Sequence, residues 1–420
     1  MAKERAVLVH KTAALTDPLT GLFNRRGFLE AAQKLIEGQR RKGQPVTVMM
    51  FDLDHFKSIN DRFGHAVGDD ALKKLSRELQ RQLRAGDLAG RLGGDEFMLA
   101  LVRADAATAE KVLQGIAEVK EGRSFCLSLP LDLPGGNVLN PRRLPPVLSP
   151  TGDENGWRFN FHTKTINPLF VDVASDDRVI LTLQYSTQWD TLAHVGGFFD
   201  ADGDGVPEPL YYNGFKAGID VIGPQPDAGR DGCGHLSYAH KLGVENMAAK
   251  AIQGRAVMVD LEKHFGRDHK YVNYDDFRKV LEADKVVVEP GDMLLLYTGF
   301  TDEIVKMNKK VDPARAHAMC SVLDGRDKRL LQWITDSGLA ALIADNYAVE
   351  ERAAKPAPGY HGALLPLHEH CLFKNGIHLG EMFYFTELAR WLRAHKRNRF
   401  LFTAPPLRLP GAVGSPATPI

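Results

Sequence analysis

The sequence predicts a two-domain protein of mixed α/β and α+β class, with a first domain at residues 1–118 and a second at residues 119–420. Helical and extended patterns alternate up to Glu118. A stretch rich in proline and glycine at residues 130–158 then precedes apolar runs typical of strands, which alternate with amphipathic helices. The length of 420 residues agrees with this division, because about 150 residues is a common domain size.

The composition argues against several classes of protein. Lysine plus arginine number 53, as do aspartate plus glutamate, so the formal net charge is zero. General binding to nucleic acid or to an anionic membrane depends on surplus basic residues, which are lacking here. The four cysteines form no CxxC pair, which favours a reducing compartment over a disulfide framework or a zinc–thiolate site. The sequence has neither a signal-peptide core nor an apolar run of about 18 residues, so we expect a cytoplasmic protein.

Apolar periodicity predicts the elements of the first domain. A helix is predicted to begin at Asp17. The nearly continuous apolar run at residues 46–53 is typical of a strand buried on both faces. Leucines at helical spacing predict a helix over residues 71–83. Residues 90–101 predict a hairpin with two glycines at its turn.

Three segments of the first domain resemble the GGDEF domain of diguanylate cyclases, in the same order and at the same spacing. They are DPLTGLFNRRGF at 17–28, FDLDHFKSINDRFGHAVGDDAL at 51–72 and RLGGDEF at 91–97. The resemblance implies a βαβ domain of the ferredoxin-like, nucleotidyl-cyclase type. It also implies that this domain binds GTP with Mg²⁺ and makes cyclic di-GMP.

The resemblance implies residue roles in this domain, position by position. The implied groups are Asp52, the Leu53 carbonyl and Glu96 for Mg²⁺; Lys57, Asn60, Asp69, Gly93 and Gly94 for the nucleotide; and Arg84 with Asp87 for inhibitory cyclic di-GMP. Carboxylates that hold Mg²⁺ against a triphosphate are the usual device of phosphoryl transfer. Without the resemblance, the same carboxylates fit solvated strand ends, and Arg84 with Asp87 fits a surface ion pair.

The first domain departs from the family after the helix predicted at residues 106–118. There the family continues with a strand and a final helix that carries a lysine and an arginine for the triphosphate, and neither follows here. The truncation leaves an exposed sheet edge and an uncovered apolar face. We therefore expect no synthesis of cyclic di-GMP. Two alternatives stay open: an active diguanylate cyclase, and a module that senses GTP or cyclic di-GMP and regulates the second domain.

In the second domain, helical and extended patterns interleave. Strands are predicted at residues 178–185, 256–261 and 292–300, and helices at residues 328–336 and 385–394. This interleaving indicates a mixed α/β domain.

The most informative pattern of the second domain is QWDTLAH at residues 188–194, followed by His368 and Glu381. Asp190 and His194 are four residues apart, so one helical turn or a tight loop brings them to the same side. Carboxylate and imidazole without thiolate suit Zn²⁺ or Mn²⁺. The spacing alone is weak support, because the chain contains 15 histidines.

Eight stretches of the second domain, in order, resemble the cyclase family of metal-dependent hydrolases, which includes kynurenine formamidases and isatin hydrolases. They are SLPLDLP, STQWDTLAHVG, YYNGF, GRAVMVDL, EPGDMLLLYTGF, DNYAVE, LHEHCLFKNGIHLGEMF and APPLRLPGAVGSP. The resemblance implies a swivelling β/β/α fold that hydrolyses the C–N or ester bond of an amide, lactam or ester with metal-activated water. It implies an aryl formamide, isatin-like or lactone substrate. A homo-oligomer is expected, because both families commonly pair.

The resemblance also implies the site of the second domain. The implied metal ligands are Gln188, Asp190, His194, His368 and Glu381, and the implied catalytic groups are Asp190, His194, Glu381 and His370. Gln188 stands where the family has histidine, and an oxygen ligand there favours a harder ion, Mn²⁺ rather than Zn²⁺. Gly197 stands where the family has a histidine that handles protons. The base is therefore sought at Glu381 or His370.

Residues 200–205, DADGDG, resemble the first half of an EF-hand loop. The twelfth position of that loop, which requires a bidentate glutamate, is Tyr211. A turn rich in aspartate and glycine is therefore favoured over a Ca²⁺ site.

Overall fold

The computed structural model describes residues 15–44, 46–53, 56–83, 86–102, 106–154, 156–224, 237–350 and 362–420. The chain divides into two compact units, Met1–Arg123 and Ser124–Ile420. The division follows Arg123, whereas the sequence places the boundary after Glu118. Residues 118–123 form turns and bends, so the connection between the units begins where the helical pattern ends.

The described part of the first unit is a four-stranded sheet with helices. Its strands are β1 (Phe23–Asn24), β2 (Val46–Phe51), β3 (Leu88–Gly93) and β4 (Glu96–Val102), and its helices are Arg25–Arg40, Phe56–Phe63, His65–Gln82 and Ala106–Ala117. The strand order is β1-β3-β4-β2, with β1 parallel to β3 and the other neighbours antiparallel. Leu72, Leu79, Phe97 and Leu99 lie in its core.

The first helix begins at Arg25, so the predicted start at Asp17 is wrong. Asn24 caps this helix, because its side chain accepts a hydrogen bond from the N–H three residues later at 2.9 Å. Asp17 instead closes a turn, and its Oδ1 accepts hydrogen bonds from the N–H and the hydroxyl of Thr20 at 2.9 and 2.6 Å. Such local bonds between a side chain and the backbone compete with helix formation.

β2 is buried on one face only, so the expectation of two buried faces is wrong. Met49 and Phe51 pack against the core, whereas Val48 is 43% exposed and Met50 is 67% exposed. The helix Arg25–Arg40 packs on the central strands of that face and reaches β2 only at Val46, so Val48 and Met50 stay exposed. An uncovered apolar face is what the truncation of the domain predicts.

β3 and β4 form the predicted hairpin, with Gly94 and Asp95 at its turn. Gly94 has a φ of +56°, a left-handed conformation that glycine adopts without steric cost. The Arg91 guanidinium donates a hydrogen bond to the Gly94 carbonyl at 2.6 Å, so it holds the turn against the preceding strand.

A mixed seven-stranded sheet forms the centre of the described second unit. Its strands are β5 (Gln188–Asp190), β6 (Gln253–Asp260), β7 (Met293–Tyr297), β8 (Ala341–Ala344), β9 (His378–Glu381), β10 (Arg399–Thr403) and β11 (Gly414–Pro416). The strand order is β10-β6-β7-β8-β9-β5-β11. β6 to β9 are parallel to one another, and the remaining strands run antiparallel to their neighbours.

The central strands are buried on both faces because alternate residues enter two separate cores. In β6, Val257 and Val259 enter one core, and Ala256 and Met258 enter the other. The helices that supply core residues include Tyr274–Ala283 and Lys328–Ser337 on the first face, and Val244–Lys250 and Thr386–His395 on the second. This arrangement explains why the sequence of these strands is continuously apolar.

Short elements complete the described second unit. Its remaining helices are Leu261–Phe265, Phe300–Met307, Pro313–His317, Pro366–His368 and the π-helix Glu369–Asn375, with 3₁₀ turns at Thr163–Thr165 and Tyr212–Gly214. Five small sheets of the described unit have two strands each: Val147–Pro150 with Asp177–Ile180, Gly152–Asp153 with Gly156–Trp157, Phe161–His162 with Val173–Ala174, Val221–Ile222 with Tyr238–Ala239, and Lys270–Val272 with Ser321–Leu323. One small sheet has three strands: Gly197–Phe199, Glu208–Tyr211 and Phe215–Lys216.

Most predicted elements of the second domain are confirmed, with shifted ends. The strand predicted at residues 178–185 is an exception, since only Asp177–Ile180 is extended and it lies in an exposed ribbon. The mixed α/β and α+β fold class is confirmed. Within the described ranges, no helix combines the length and the hydrophobicity that crossing a membrane requires.

Candidate metal centre

β5 presents Gln188 and Asp190 on one face of the sheet, because side chains alternate along a strand. Trp189 between them points into the opposite core, where its Nε1 donates to the Ala404 carbonyl at 2.8 Å. β5 pairs with β9 so that Gln188 lies directly opposite Glu381. The register of two short strands therefore brings two carboxylates and an amide to one place.

His368 reaches the same place from the short helix Pro366–His368. The Glu350 carboxylate accepts hydrogen bonds from the N–H groups of Leu367 and His368 at 2.9 and 2.8 Å. It also accepts from His368 Nδ1 at 3.0 Å, which leaves Nε2 directed at Glu381 Oε1, 3.1 Å away. A carboxylate that fixes an imidazole through its other nitrogen is the usual support of a metal-binding histidine.

Asp190, His368 and Glu381 form a buried cluster, and their candidate ligand atoms all lie within 4.8 Å of one another. Asp190 Oδ2 is fully buried without a hydrogen-bond partner, although an unpaired buried polar atom costs stability. Two carboxylates and an imidazole are a donor set that suits Mn²⁺ or Zn²⁺. The cluster therefore fits a divalent ion, both in donor chemistry and in its unpartnered oxygen.

In the buried cluster, carboxylates surround the His368 imidazole, and this shifts the pKa of each group. Burial raises the pKa of Asp190, although the charge of His194 opposes the shift. Burial also opposes protonation of His368, but hydrogen bonds to Glu350 and Glu381 raise its pKa to about 10. Burial opposes ionisation of Glu381, but the hydrogen bond from His368 and the charges of His368, Arg143 and His194 together lower its pKa. A divalent ion and a proton on His368 are therefore competitors for the same carboxylates.

His194 lies beside the buried cluster, at its more open side. It follows β5 in a tight turn, in which its N–H donates to the Thr191 carbonyl at 2.9 Å. Its Nε2 is 3.7 Å from Asp190 Oδ1, and the side chain is 21% exposed. The turn thus brings Asp190 and His194 to one side.

Gln188 makes two kinds of contact at the buried cluster. Its Nε2 donates to Glu381 Oε2 at 3.0 Å and to Asp190 Oδ1 at 3.4 Å. Its Oε1 accepts from Arg143 Nη1 at 3.3 Å. The opposite amide orientation would turn an oxygen toward two carboxylates and an NH₂ toward a guanidinium, which is unfavourable. Gln188 therefore orients the carboxylates and turns its oxygen toward Arg143.

The residues near this cluster include three that sequence reasoning missed. Glu350 supports His368, and Arg143 contacts Gln188. Glu369 is the third, since its Oε1 lies 3.6 Å from where a Cβ on Gly197 would stand. Glu350 lies in the stretch DNYAVE and Glu369 follows His368 directly, but no spacing rule connects either one to Asp190.

His370 is not brought to the buried cluster. Its Nε2 lies 2.9 Å from Thr335 Oγ1, and its carbonyl accepts a hydrogen bond from Asn375 at 2.7 Å. Burial lowers the pKa of its imidazole.

The carboxylates of Asp200, Asp202 and Asp204 lie within 4.8 Å of one another in the turn that resembles an EF-hand loop. Asp200 accepts hydrogen bonds from the N–H groups of Gly203 and Gly205 at 2.7 and 2.9 Å. These bonds account for the cluster as an exposed turn that satisfies its own backbone.

In the first unit, strand register places two implied Mg²⁺ groups at one end of the sheet. Phe51 pairs with Phe97, so Asp52 and Glu96 are the next residues toward the same end of the two strands, and both are exposed. Leu53 follows and is half-buried. Gly93 pairs with Glu96 at the end of β3, and Gly94 follows it in the hairpin turn.

The other implied nucleotide residues of the first unit have separate surroundings. Asn60 Oδ1 lies so close to Gly68 that a Cβ there would approach it to 2.0 Å, and Asp69 is exposed. Asp87 Oδ1 accepts a hydrogen bond from the Val102 N–H at 2.9 Å, which gives it a structural contact. Arg84 and the side chain of Lys57 lie outside the described residues.

Comparison with known proteins agrees with both parts of the chain. Residues 14–123 match the model of the diguanylate cyclase, GGDEF domain. A probable diguanylate cyclase, DgcC of Escherichia coli (strain K12), is 41% identical over 106 residues, which are 25% of this chain and 28% of that protein. The chain thus spans under a third of that relative's length, in its first unit.

The second unit matches a different family. A crystal structure of a novel cyclase superposes with a TM-score of 0.54 at 26% identity, over 74% of this chain and 90% of that one. Isatin hydrolase A from Labrenzia aggregata, bound to benzyl benzoate, has a TM-score of 0.45 at 13% identity, over 73% of this chain and 97% of that one. Residues 127–351 match the family model "Putative cyclase". This match covers more than half of the chain, which therefore belongs to the cyclase family.

Proposed function

We propose that residues 119–420 form a metal-dependent hydrolase that opens an amide, lactam or ester, with Mn²⁺ or Zn²⁺ as cofactor. The observation that carries the proposal is the buried cluster with its unpartnered Asp190 Oδ2. Membership of the cyclase family supports it. The substrate classes proposed are aryl formamides, isatin-like lactams and lactones.

The proposed ligands are Asp190, His368 and Glu381, with His194 at the open side. When bound, the ion would polarise the substrate carbonyl and lower the pKa of water. Glu350 holds the His368 imidazole in place. Gln188 donates to both carboxylates of the buried cluster, so it restricts their rotation. Its proposed role is to position ligands rather than to bind the ion.

We assign the transfer of the proton from attacking water to Glu369. Both oxygens of Glu381 are occupied, by His368 and by Gln188. Glu369 Oε2 accepts from Lys374 at 2.8 Å, and its Oε1 accepts no hydrogen bond from the described residues. This free oxygen lies beside Gly197, where the family has its proton-handling histidine. Glu369 can then return the proton to the leaving nitrogen or oxygen.

The Glu369→Gln variant is expected to lower kcat by about 10²-fold or more, which is the usual contribution of a positioned general base. Metal content is expected to stay unchanged, because the side chain is outside the buried cluster. Steady-state kinetics and elemental analysis measure both. The Lys374→Met variant is the matched control, since it removes the ion pair and keeps the carboxylate. Full turnover in Glu369→Gln would move the assignment to His194.

The proposed activity is tested on purified full-length protein loaded with Mn²⁺ or Zn²⁺. We expect hydrolysis of formanilide, isatin or a lactone, and loss of that activity on chelation. Chelation is also expected to lower the melting temperature by about 5 °C when the metal is at about a hundredfold excess over Kd, because a ligand of the native state alone stabilises it.

The control variant for this assay is His370→Ala, whose ring contacts Thr335. It is expected to keep both the activity and the metal-dependent melting shift. An unchanged melting curve, together with no turnover of any of the three substrate classes, would refute the proposed function.

We propose a second function for residues 1–118, as a module that binds GTP or cyclic di-GMP. The observation that favours it is the position of Asp52 and Glu96 at the same end of two paired strands. The match to the GGDEF model supports it.

A further inference from the structure

We infer that Arg143, together with Tyr347, binds a carboxylate of the substrate, so that the hydrolase acts on an organic acid anion. This inference rests on the proposed function and names its substrate class. It depends on the position of the guanidinium, on its lack of a carboxylate partner among the residues that the structure describes, and on the donors that surround it.

The Arg143 guanidinium lies next to the buried cluster. Its Nη1 donates to Gln188 Oε1 at 3.3 Å, and Gln188 Nε2 donates to Glu381 Oε2 at 3.0 Å. The positive charge is thus two hydrogen bonds away from a proposed metal ligand. When the carbonyl of a substrate reaches the metal, the substrate atoms a few bonds away from that carbonyl lie beside Arg143.

Arg143 has no carboxylate within 4.0 Å among the described residues, although it is half-buried. Other shielded arginines of the unit are paired: Arg255 with Asp292 at 2.8 Å, and Arg267 with Asp302 at 2.7 Å. Shielded charges are normally paired, so the half-buried Arg143 is suited to bind an anionic partner. A divalent ion would neutralise the nearby cluster carboxylates and leave the arginine charge uncompensated.

The surroundings of Arg143 supply a second donor and a flat wall. Its guanidinium carbon lies 5.6 Å from the centre of the Tyr347 ring. The Tyr347 hydroxyl oxygen accepts a hydrogen bond from Asn140 Nδ2 at 3.1 Å. Within the described part of the chain, no acceptor takes the hydrogen of this hydroxyl, so it can bind an anion. These side chains line a small cavity that is open to solvent, and Leu139 and Met382 line it too.

These groups match a carboxylate attached to a planar ring. The fork of an arginine binds both oxygens of a carboxylate, and a tyrosine hydroxyl adds a third hydrogen bond. The ring of such a substrate would pack against the apolar part of the cavity wall. An aryl amide with a carboxylate ortho to the scissile group has the required spacing of a few bonds.

The test compares two substrates of similar shape, one charged and one neutral: N-formylanthranilate, and 2-formamidoacetophenone, which carries an acetyl group in place of the carboxylate. Wild-type protein with Mn²⁺ is expected to prefer the anion. Arg143→Gln is expected to lose about 30-fold or more in kcat/KM for the anion, chiefly through KM, because an unpaired carboxylate loses its charged partner. The neutral substrate is expected to change little, and Arg143→Lys is expected to restore part of the loss.

Arg178→Gln is the matched control, since it removes an exposed arginine whose Nε contacts Ser149 at 2.9 Å, away from the cavity. It is expected to leave the preference unchanged. Equal losses for both substrates in Arg143→Gln would show that the arginine acts on the metal centre through Gln188, and would overturn the inference. A wild-type protein that turns over the neutral substrate as well as the anion would also overturn it.

A binding measurement separates this inference from the proposed function. Calorimetry of the metal-loaded protein with benzoate and with benzamide needs no turnover. Benzoate binding that Arg143→Gln removes supports the carboxylate site even when neither formamide is hydrolysed, in which case the proposed function alone fails. Benzoate binding no tighter than benzamide binding contradicts the carboxylate site.

Discussion

We expect the Asp190→Asn variant to lose bound metal and to lower kcat/KM for hydrolysis by about 10³-fold or more. Activation of water and substrate by a metal supplies several kcal/mol, and each increment of about 1.4 kcal/mol is tenfold in rate. Asp190 is fully buried, and among the described residues its Oδ2 has no hydrogen-bond partner, so this oxygen is available to a metal ion. An amide at this position keeps the shape but removes the charge.

The variant is assessed by elemental analysis after loading with Mn²⁺ and by steady-state kinetics on the same sample. Burial raises the pKa of Asp190, so the charged form of this carboxyl costs stability in the metal-free protein. The metal-free variant is therefore expected to melt no lower than metal-free wild type, which separates loss of metal from misfolding. Asp200→Asn, in the exposed aspartate turn, is the control. Stoichiometric metal and full activity in Asp190→Asn would refute the site.

The second large effect is an absence of cyclic di-GMP synthesis by the full-length protein, despite its GGDEF residues. The family's final helix, with its lysine and arginine, does not follow residue 118. Cations that offset the charge of a triphosphate contribute on the order of 10³-fold or more to phosphoryl transfer. The edge strand β2, with Val48 and Met50 exposed, also lacks the cover that would make the sheet rigid.

Chromatography of a reaction with GTP and Mg²⁺ measures synthesis, and calorimetry with GTP and with cyclic di-GMP measures binding. Binding without turnover would support the nucleotide-sensing module, whereas no binding of either nucleotide would contradict it. Robust product that disappears in Glu96→Ala would show that the domain is an active cyclase.

Sequence reasoning succeeded where local pattern and long motifs determine the structure. The helix Lys328–Ser337 follows a clear apolar period, and the central strands β6 and β7 are apolar because both faces are buried. Asp190, His368 and Glu381 were identified through a resemblance spread over eight stretches. The structure brings all three together.

What the sequence missed depends on contacts between distant residues. Glu350 and Arg143 have no periodicity or spacing that connects them to Asp190, and each reaches the buried cluster through the fold. The exposed face of β2 was predicted by the truncation of the domain and not by the residues of the strand, because an apolar strand looks the same whether or not a helix covers it. The start of the first helix was misplaced because Asp17 forms side-chain bonds with Thr20 instead of capping a helix.

The position of β5 in the sheet has a consequence for the order of assembly during synthesis. This three-residue strand carries Gln188 and Asp190, and it is held between β9 and β11, which are made about two hundred residues later. A chain is synthesised from its amino end, so β5 is made before either of the two strands that pair with it. The sheet around the proposed metal centre can therefore be completed only after residue 416 has been made.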